Sequence, residues 1–126
     1  MTILNIPGTQ STPTITADWD AGLLKMDGDS YPENSFEFFG EILVWVERFL
    51  AETARPLRLE LQLIYMNTSS VKAMMDIFDM LEDAHVRGRE VRVDWYYHPR
   101  NERVKMLAEE FREDCSFPFE IAVQPS

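Results

Sequence analysis

The sequence is poor in the residues that most reactive sites require. Cys115 is the one cysteine in 126 residues, which excludes an internal disulfide and leaves no second thiolate for a metal cluster. Neither His85 nor His98 has a cysteine or serine at a spacing that marks a nucleophile and its base. The five glycines are scattered singly, so nothing resembles a phosphate-cradling loop. No apolar run approaches the length needed to span a bilayer, and the opening "MTILNIPGTQSTP" has neither a basic n-region nor a long apolar h-region. Export and membrane insertion are therefore not expected. Positive charge is scarce as well: 12 Lys and Arg stand against 22 Asp and Glu, a formal net charge of -10. A surface of that sign repels phosphate backbones and anionic headgroups, which argues against nucleic acid and membrane partners. With a lone cysteine, the expected compartment is the reducing cytoplasm.

What is present is the material of a packed core. Hydrophobic residues make up 45% and aromatic residues 12% of the chain, the composition of a globular protein and not of a disordered one. At this length one domain over residues 1–126 is expected, removing roughly two-thirds of its unfolded surface from water. There is no internal repeat and no low-complexity tract.

Hydropathy patterning outlines an α/β fold. Ile15, Ala17 and Trp19 alternate with polar neighbours up to the turn "DAG", and Leu24 and Met26 continue beyond it, as in an antiparallel hairpin. Asn34, with Glu37 three residues on, predicts the start of a helix over 35–53, and Ser30 with Glu33 offers a second registration. Its apolar stripe would be Phe36, Phe39, Leu43, Val46 and Leu50, flanked by Phe38, Ile42, Trp45 and Phe49. Leu57, Leu59, Leu61, Leu63 and Tyr65 alternate with Arg58, Glu60 and Gln62 in a half-buried strand. A second helix follows with Val71, Met74, Met75, Phe78 and Leu81 on its apolar face, ending at Gly88. A strand over 91–98, a third helix opened by "HPRN" and a last strand from Phe117 to Val123 complete the chain. Strands separated by helices of this length imply parallel neighbours joined by right-handed crossovers. A doubly covered sheet would have continuously apolar strands. These alternate, so the helices are expected mainly on one face, leaving Arg58, Glu60, Gln62, Arg92, Asp94 and Tyr96 on a wet face that is either solvated surface or a docking surface.

Candidate chemistry is thin. Asp76, Asp79 and Asp83 share a helical face and would suit a hard cation only with further oxygen ligands, and a solvated acidic face explains them as well. Cys115, at an inward helical position, reads as a small hydrophobe. The conspicuous stretch is "NTSS", Asn67, Thr68, Ser69 and Ser70, where a strand becomes a helix. Helix capping explains one polar residue there. Four leave hydroxyls to spare at the edge of a parallel sheet, beside helix N-termini, where α/β folds place their sites and where a phosphate is tolerated.

The chain resembles the SiaC family of small bacterial regulatory phosphoproteins over essentially its whole length, in "IPGTQSTP", "GDSYPENS", "YMNTSSVKAMMDIFDMLE" and "RNERVKMLAEEFREDCSFPFEI". The resemblance implies a fold like that of anti-sigma factor antagonist (STAS) domains: a mixed sheet with an N-terminal antiparallel hairpin and parallel crossovers. It also implies a non-enzymatic switch in cyclic di-GMP signalling, governing biofilm formation and aggregation, with no cofactor. A cognate serine/threonine kinase would phosphorylate Thr68 and a metal-dependent phosphatase would reverse it. The unmodified form would bind and activate a diguanylate cyclase, with Asn67, Thr68, Ser69, Ser70 and Lys72 facing partners. Independently of the resemblance, Lys72, one turn on, is either a cation that offsets part of the added charge or an ordinary solvated lysine. The alternative is an unmodified scaffold that docks through the wet sheet face.

Overall fold

In the computed structural model, which describes residues 3–124, alternating segments form strands and amphipathic ones helices. In chain order they are β1 (Ile3–Ile6), β2 (Thr14–Asp18), β3 (Leu23–Ser30), α1 (Ser35–Glu52), β4 (Leu57–Met66), α2 (Thr68–Val86), β5 (Val91–Tyr97), α3 (Glu102–Glu113) and β6 (Phe119–Val123). The strands lie in one sheet in their chain order, β1 to β3 antiparallel and β3 to β6 parallel. Each parallel crossover steps to the next strand in the same direction. Because such crossovers are right-handed almost without exception, α1, α2 and α3 fall on one face of the sheet. The core lies between, built from Leu59, Leu61, Val93 and Trp95 of the strands against Ile42, Phe49, Met74 and Ile77 of the helices, all buried.

This is the mixed, one-sided sheet that the patterning predicted, with local differences. β1 was not expected: four residues are too few for alternation to stand out, and the strand is defined by its pairing with β2, Leu4 opposite Ala17 and Ile6 opposite Ile15. Phe36, expected on the buried stripe of α1, is 91% exposed; the buried positions of that helix begin at Phe39. Met75 is half exposed beside the fully buried Met74, on the flank of a narrower apolar face than the spacing suggested.

The turn between β2 and β3 depends on Gly22. Its φ of +65° is left-handed, and its carbonyl accepts a hydrogen bond from Arg58 N at 2.8 Å, which docks the hairpin onto β4. A Cβ there would collide with the carbonyl oxygen of Pro56. Left-handed backbone costs a residue with a side chain roughly 1–2 kcal/mol before any clash. Gly22→Ala is therefore expected to lose about 2–4 kcal/mol in urea denaturation; a loss below about 1 kcal/mol would show that the turn relaxes freely.

On the open face, Asp94 departs from the alternation by being buried. Arg92 holds it with Nη2 to Oδ1 at 2.8 Å, and Arg58 reaches across from β4 with Nε to Oδ2 at 2.9 Å. Burial opposes ionisation of this carboxyl, but the hydrogen bonds and charge of Arg92 and Arg58 outweigh it and hold its pKa below the usual carboxylate value. Such a group stabilises the fold above its unfolded-state pKa and loses that contribution as pH falls through the folded one. Asp94→Asn is expected to cost about 1–2 kcal/mol near neutral pH, the arginines being half exposed and partly screened. The gap to wild type should close as pH falls below the ordinary carboxyl value of 3.8. A gap that widens on acidification would contradict the assignment.

Candidate functional site

Parallel strands deliver their C-terminal ends to one edge of the sheet, and β3, β4 and β5 each lead there into a helix. All three helix starts are capped by asparagine. Asn34 Oδ1 accepts from Glu37 N at 3.0 Å, Asn67 Oδ1 from Ser70 N at 2.9 Å and Asn101 Oδ1 from Val104 N at 3.2 Å. Asparagine suits this position because its short side-chain carbonyl satisfies an N–H of the first turn that has no helical partner. In "NTSS" the cap is thus Asn67, and the three hydroxyls that follow are released for other work.

Each hydroxyl has a different fate. Ser70 is fully buried; its Oγ donates to the carbonyl of Ser30 at 3.0 Å. Since a hydroxyl has one proton, the 2.7 Å contact between the two side chains has Ser30 Oγ as donor to Ser70 Oγ. Asn67 N also bonds the Ser30 carbonyl, at 3.0 Å. Together these contacts weld the start of α2 to the end of β3. Ser69 Oγ donates to Asn67 Oδ1 at 3.1 Å and accepts from Ser35 Oγ at 2.5 Å, tying α2 to the first turn of α1. Thr68 is exposed, and among the described residues its hydroxyl has no hydrogen-bond partner. The motif therefore divides into two residues that build the junction, Asn67 and Ser70, one that links helices, Ser69, and one that is presented, Thr68. Ser70 can influence a partner only by holding this shape.

The surroundings of Thr68 come from a defect in the sheet. β3 and β4 slip register, Gly28 facing Leu63 but Asp29 facing Tyr65, so Ile64 is an extra residue in β4. A bulge of this kind reverses the alternation beyond it. Met66 turns inward, and Tyr65, expected on the core side, is 46% exposed beside Ile64 at 56%. Tyr31 packs edge-on against Tyr65, ring centres 5.9 Å apart, and Phe36 stands free next to Ser35. The Ile64 carbonyl accepts from Asn101 Nδ2 at 2.9 Å, which draws the first turn of α3 to the same place. A cavity of about 210 Å³ lies between, lined by Ile64, Tyr65, Met66, Asn67, Thr68, Arg103, Val104 and Leu107. Lys72 is not among these residues; it faces Asp76 at 3.7 Å along its own helix.

The other candidates are accounted for by neighbours. Asp76 pairs with Lys72 and Asp83 with Arg87 at 3.3 Å, and among the described residues no group of three or more His, Cys, Asp and Glu is arranged to hold a metal ion. Burial, with the charges of Glu82, Asp114 and Asp79, pushes the Cys115 thiol up to about 11, so it stays protonated and unreactive near neutral pH. Its Sγ donates to the Phe111 carbonyl at 3.3 Å. Among the described residues no helix is long and apolar enough to cross a membrane.

A one-sided mixed sheet with a capped, hydroxyl-bearing helix start at the C-terminal ends of its parallel strands defines a STAS-like fold. Within that class the chain belongs to the SiaC family: the model of the SiaC family regulatory phosphoproteins matches residues 6–124. An uncharacterized protein of Pseudomonas aeruginosa (strain UCBPP-PA14) is 67% identical over 121 residues, 96% of each chain. Apo-SiaC from Pseudomonas aeruginosa superposes with a TM-score of 0.94 at 64% identity, over 98% of this chain and 100% of that one. A chain in the crystal structure of the diguanylate cyclase SiaD with its activator SiaC, also from Pseudomonas aeruginosa, does so with a TM-score of 0.94 at 66% identity, over 96% of this chain and 99% of that one.

The division of labour within the motif is measurable. Ser70→Ala removes the buried partner of Ser30 and is expected to cost about 1–2 kcal/mol in chemical denaturation. Ser69→Ala, at an exposed position, should cost under about 0.5 kcal/mol. Equal losses from the two would mean that the buried pair does not hold the junction.

Proposed function

We propose that the protein is a phosphorylation-controlled switch whose unmodified form binds and activates a diguanylate cyclase in the cytoplasm, the whole chain acting as one domain. The observation that carries this reading is the exposed, unengaged hydroxyl of Thr68 at the capped start of α2, beside the exposed Ile64 and Tyr65. Its support from relatives is the SiaC chain bound as activator to the cyclase SiaD. Control would run through a cognate serine/threonine kinase and a metal-dependent phosphatase. The kinase transfers the terminal phosphoryl group of a nucleoside triphosphate to Thr68 Oγ1, a P–O bond forming as the diphosphate leaves and the hydroxyl proton passing to the kinase. Hydrolysis restores the hydroxyl and releases inorganic phosphate.

The physics of the off state follows from the site. Phosphorylation adds about -1.5 to -2 charges. The chain carries that group without unfolding, because it lies outside the core at a helix N-terminus, where the dipole and spare N–H groups favour an anion. A cyclase packed over the same surface would have to bury it, at a cost of several kcal/mol. Asn67, Ser69 and Ser70 hold the loop that both kinase and cyclase read, and Lys72 contributes at its margin.

Thr68→Ala is expected to keep cyclase binding and activation while accepting no phosphate, by intact mass after incubation with kinase and nucleotide. Thr68→Asp, an imperfect mimic, should weaken binding at least about tenfold, or about 1.4 kcal/mol, in calorimetry. Binding that survives Thr68→Asp but fails in Tyr96→Ala would instead favour a scaffold docking through the open sheet face.

A further inference from the structure

The fold brings a cation to Thr68 from an unexpected direction. Arg103, on the first turn of α3, is 35 residues away in sequence yet lines the same cavity as Thr68. It is exposed, and among the described residues its guanidinium has neither a hydrogen bond nor an ion pair. Lys72, the cation nearest in sequence, is outside the cavity and already faces Asp76. Position also matters: Asn101 fixes the first turn of α3 to the Ile64 carbonyl at 2.9 Å, so the element that carries Arg103 is held against the bulge of β4. A cavity of about 210 Å³ has room for a phosphoryl group together with water, whose share of liquid volume is about 30 Å³ per molecule.

We propose that the cavity between the first turns of α2 and α3 is an internal phosphate site, in which Arg103 clasps the phosphate of phosphothreonine 68 in the same chain. The proposal rests on the reading of Thr68 as the modified residue. Arginine fits the role chemically, since its planar fork donates two parallel N–H bonds to phosphate oxygens where a lysine offers a point charge. Thr68 contributes the anion, Arg103 the counter-charge, and Tyr65 and Leu107 the apolar walls. On this account phosphorylation does more than add charge to the edge. It draws α2 and α3 together and fills a cavity that the unmodified form leaves open, so the two forms present different shapes as well as different charges.

The test uses the full-length chain with phosphothreonine installed at position 68 during translation, which makes it independent of any kinase. Phosphorus NMR then follows the second ionisation of the phosphate against pH. A neighbouring cation favours the dianion, so its pKa should lie below the ordinary value of about 6. Arg103→Gln is expected to raise it by about 0.5 to 1 unit and Arg103→Lys by less, while Lys72→Gln leaves it within about 0.2. Thermal melting of the unmodified variants checks that each folds as wild type. An unchanged titration in Arg103→Gln, or an equal shift in Lys72→Gln, overturns the site. The kinase reaction on the unmodified chain tests the other reading by itself: no phosphate on Thr68 there defeats the switch, and an unmoved titration here defeats only the clasp.

Discussion

Everything at the edge that carries Thr68 depends on the handedness of three consecutive crossovers. Right-twisted strands joined by right-handed helices pack back onto the sheet in only one way. With the strands in chain order, each crossover repeats the same step, and the helices accumulate on one face while their N-termini gather at one edge. That edge is therefore rich in N–H donors and in the positive ends of helix dipoles. Asn34, Asn67 and Asn101 each satisfy one of those donors. Once Asn67 caps α2, Thr68 need do nothing for the fold, and a residue without a structural duty can be modified without destabilising the chain.

Charge explains why the location matters. The chain carries a formal net charge of -10, so a further dianion placed at random would meet repulsion from most directions. Many of its cations are committed: Arg58 and Arg92 to Asp94, Arg48 to Glu52, Lys72 to Asp76 and Arg87 to Asp83. These pairs are mostly exposed and contribute little stability, but they do fix where positive charge is spent. Arg103 is uncommitted among the described residues and lines the same cavity as Thr68. The two faces of the molecule differ accordingly. The open sheet face is self-neutralised around Asp94, whereas the edge at Thr68 combines exposed aromatic groups with an arginine that has no ion pair among the described residues.

The bulge at Ile64 links backbone geometry to the surface beside Thr68. One extra residue in β4 reverses the parity of its last turn of alternation, exposing Ile64 and Tyr65 and burying Met66. Without it the strand would end with Tyr65 in the core, as its spacing suggests, and the rim beside Thr68 would lose its aromatic ring. The register slip thus shapes the surface beside Thr68, although it lies three residues before Asn67.

The architecture was largely legible in the chain because its determinants are local. Period-two alternation identified β4 and β5, the 3.6-residue stripe identified α2, and the polar outer faces of the strands implied helices on one side only. The "NTSS" junction stood out for the same reason: four consecutive polar residues at a change of period are visible without coordinates. Sequence alone offered Asn34 with Glu37 and Ser30 with Glu33 as starts of α1, both three-residue relations, and the structure selects Asn34. Tertiary structure decided which hydroxyl of the motif is free, because Ser70 is buried by Ser30, forty residues away. It decided as well that Tyr65 and Phe36 face outward and that Arg103, rather than Lys72, shares the cavity of Thr68. Those outcomes depend on register, crossover packing and loop closure between distant segments, and no pattern confined to neighbouring residues encodes them.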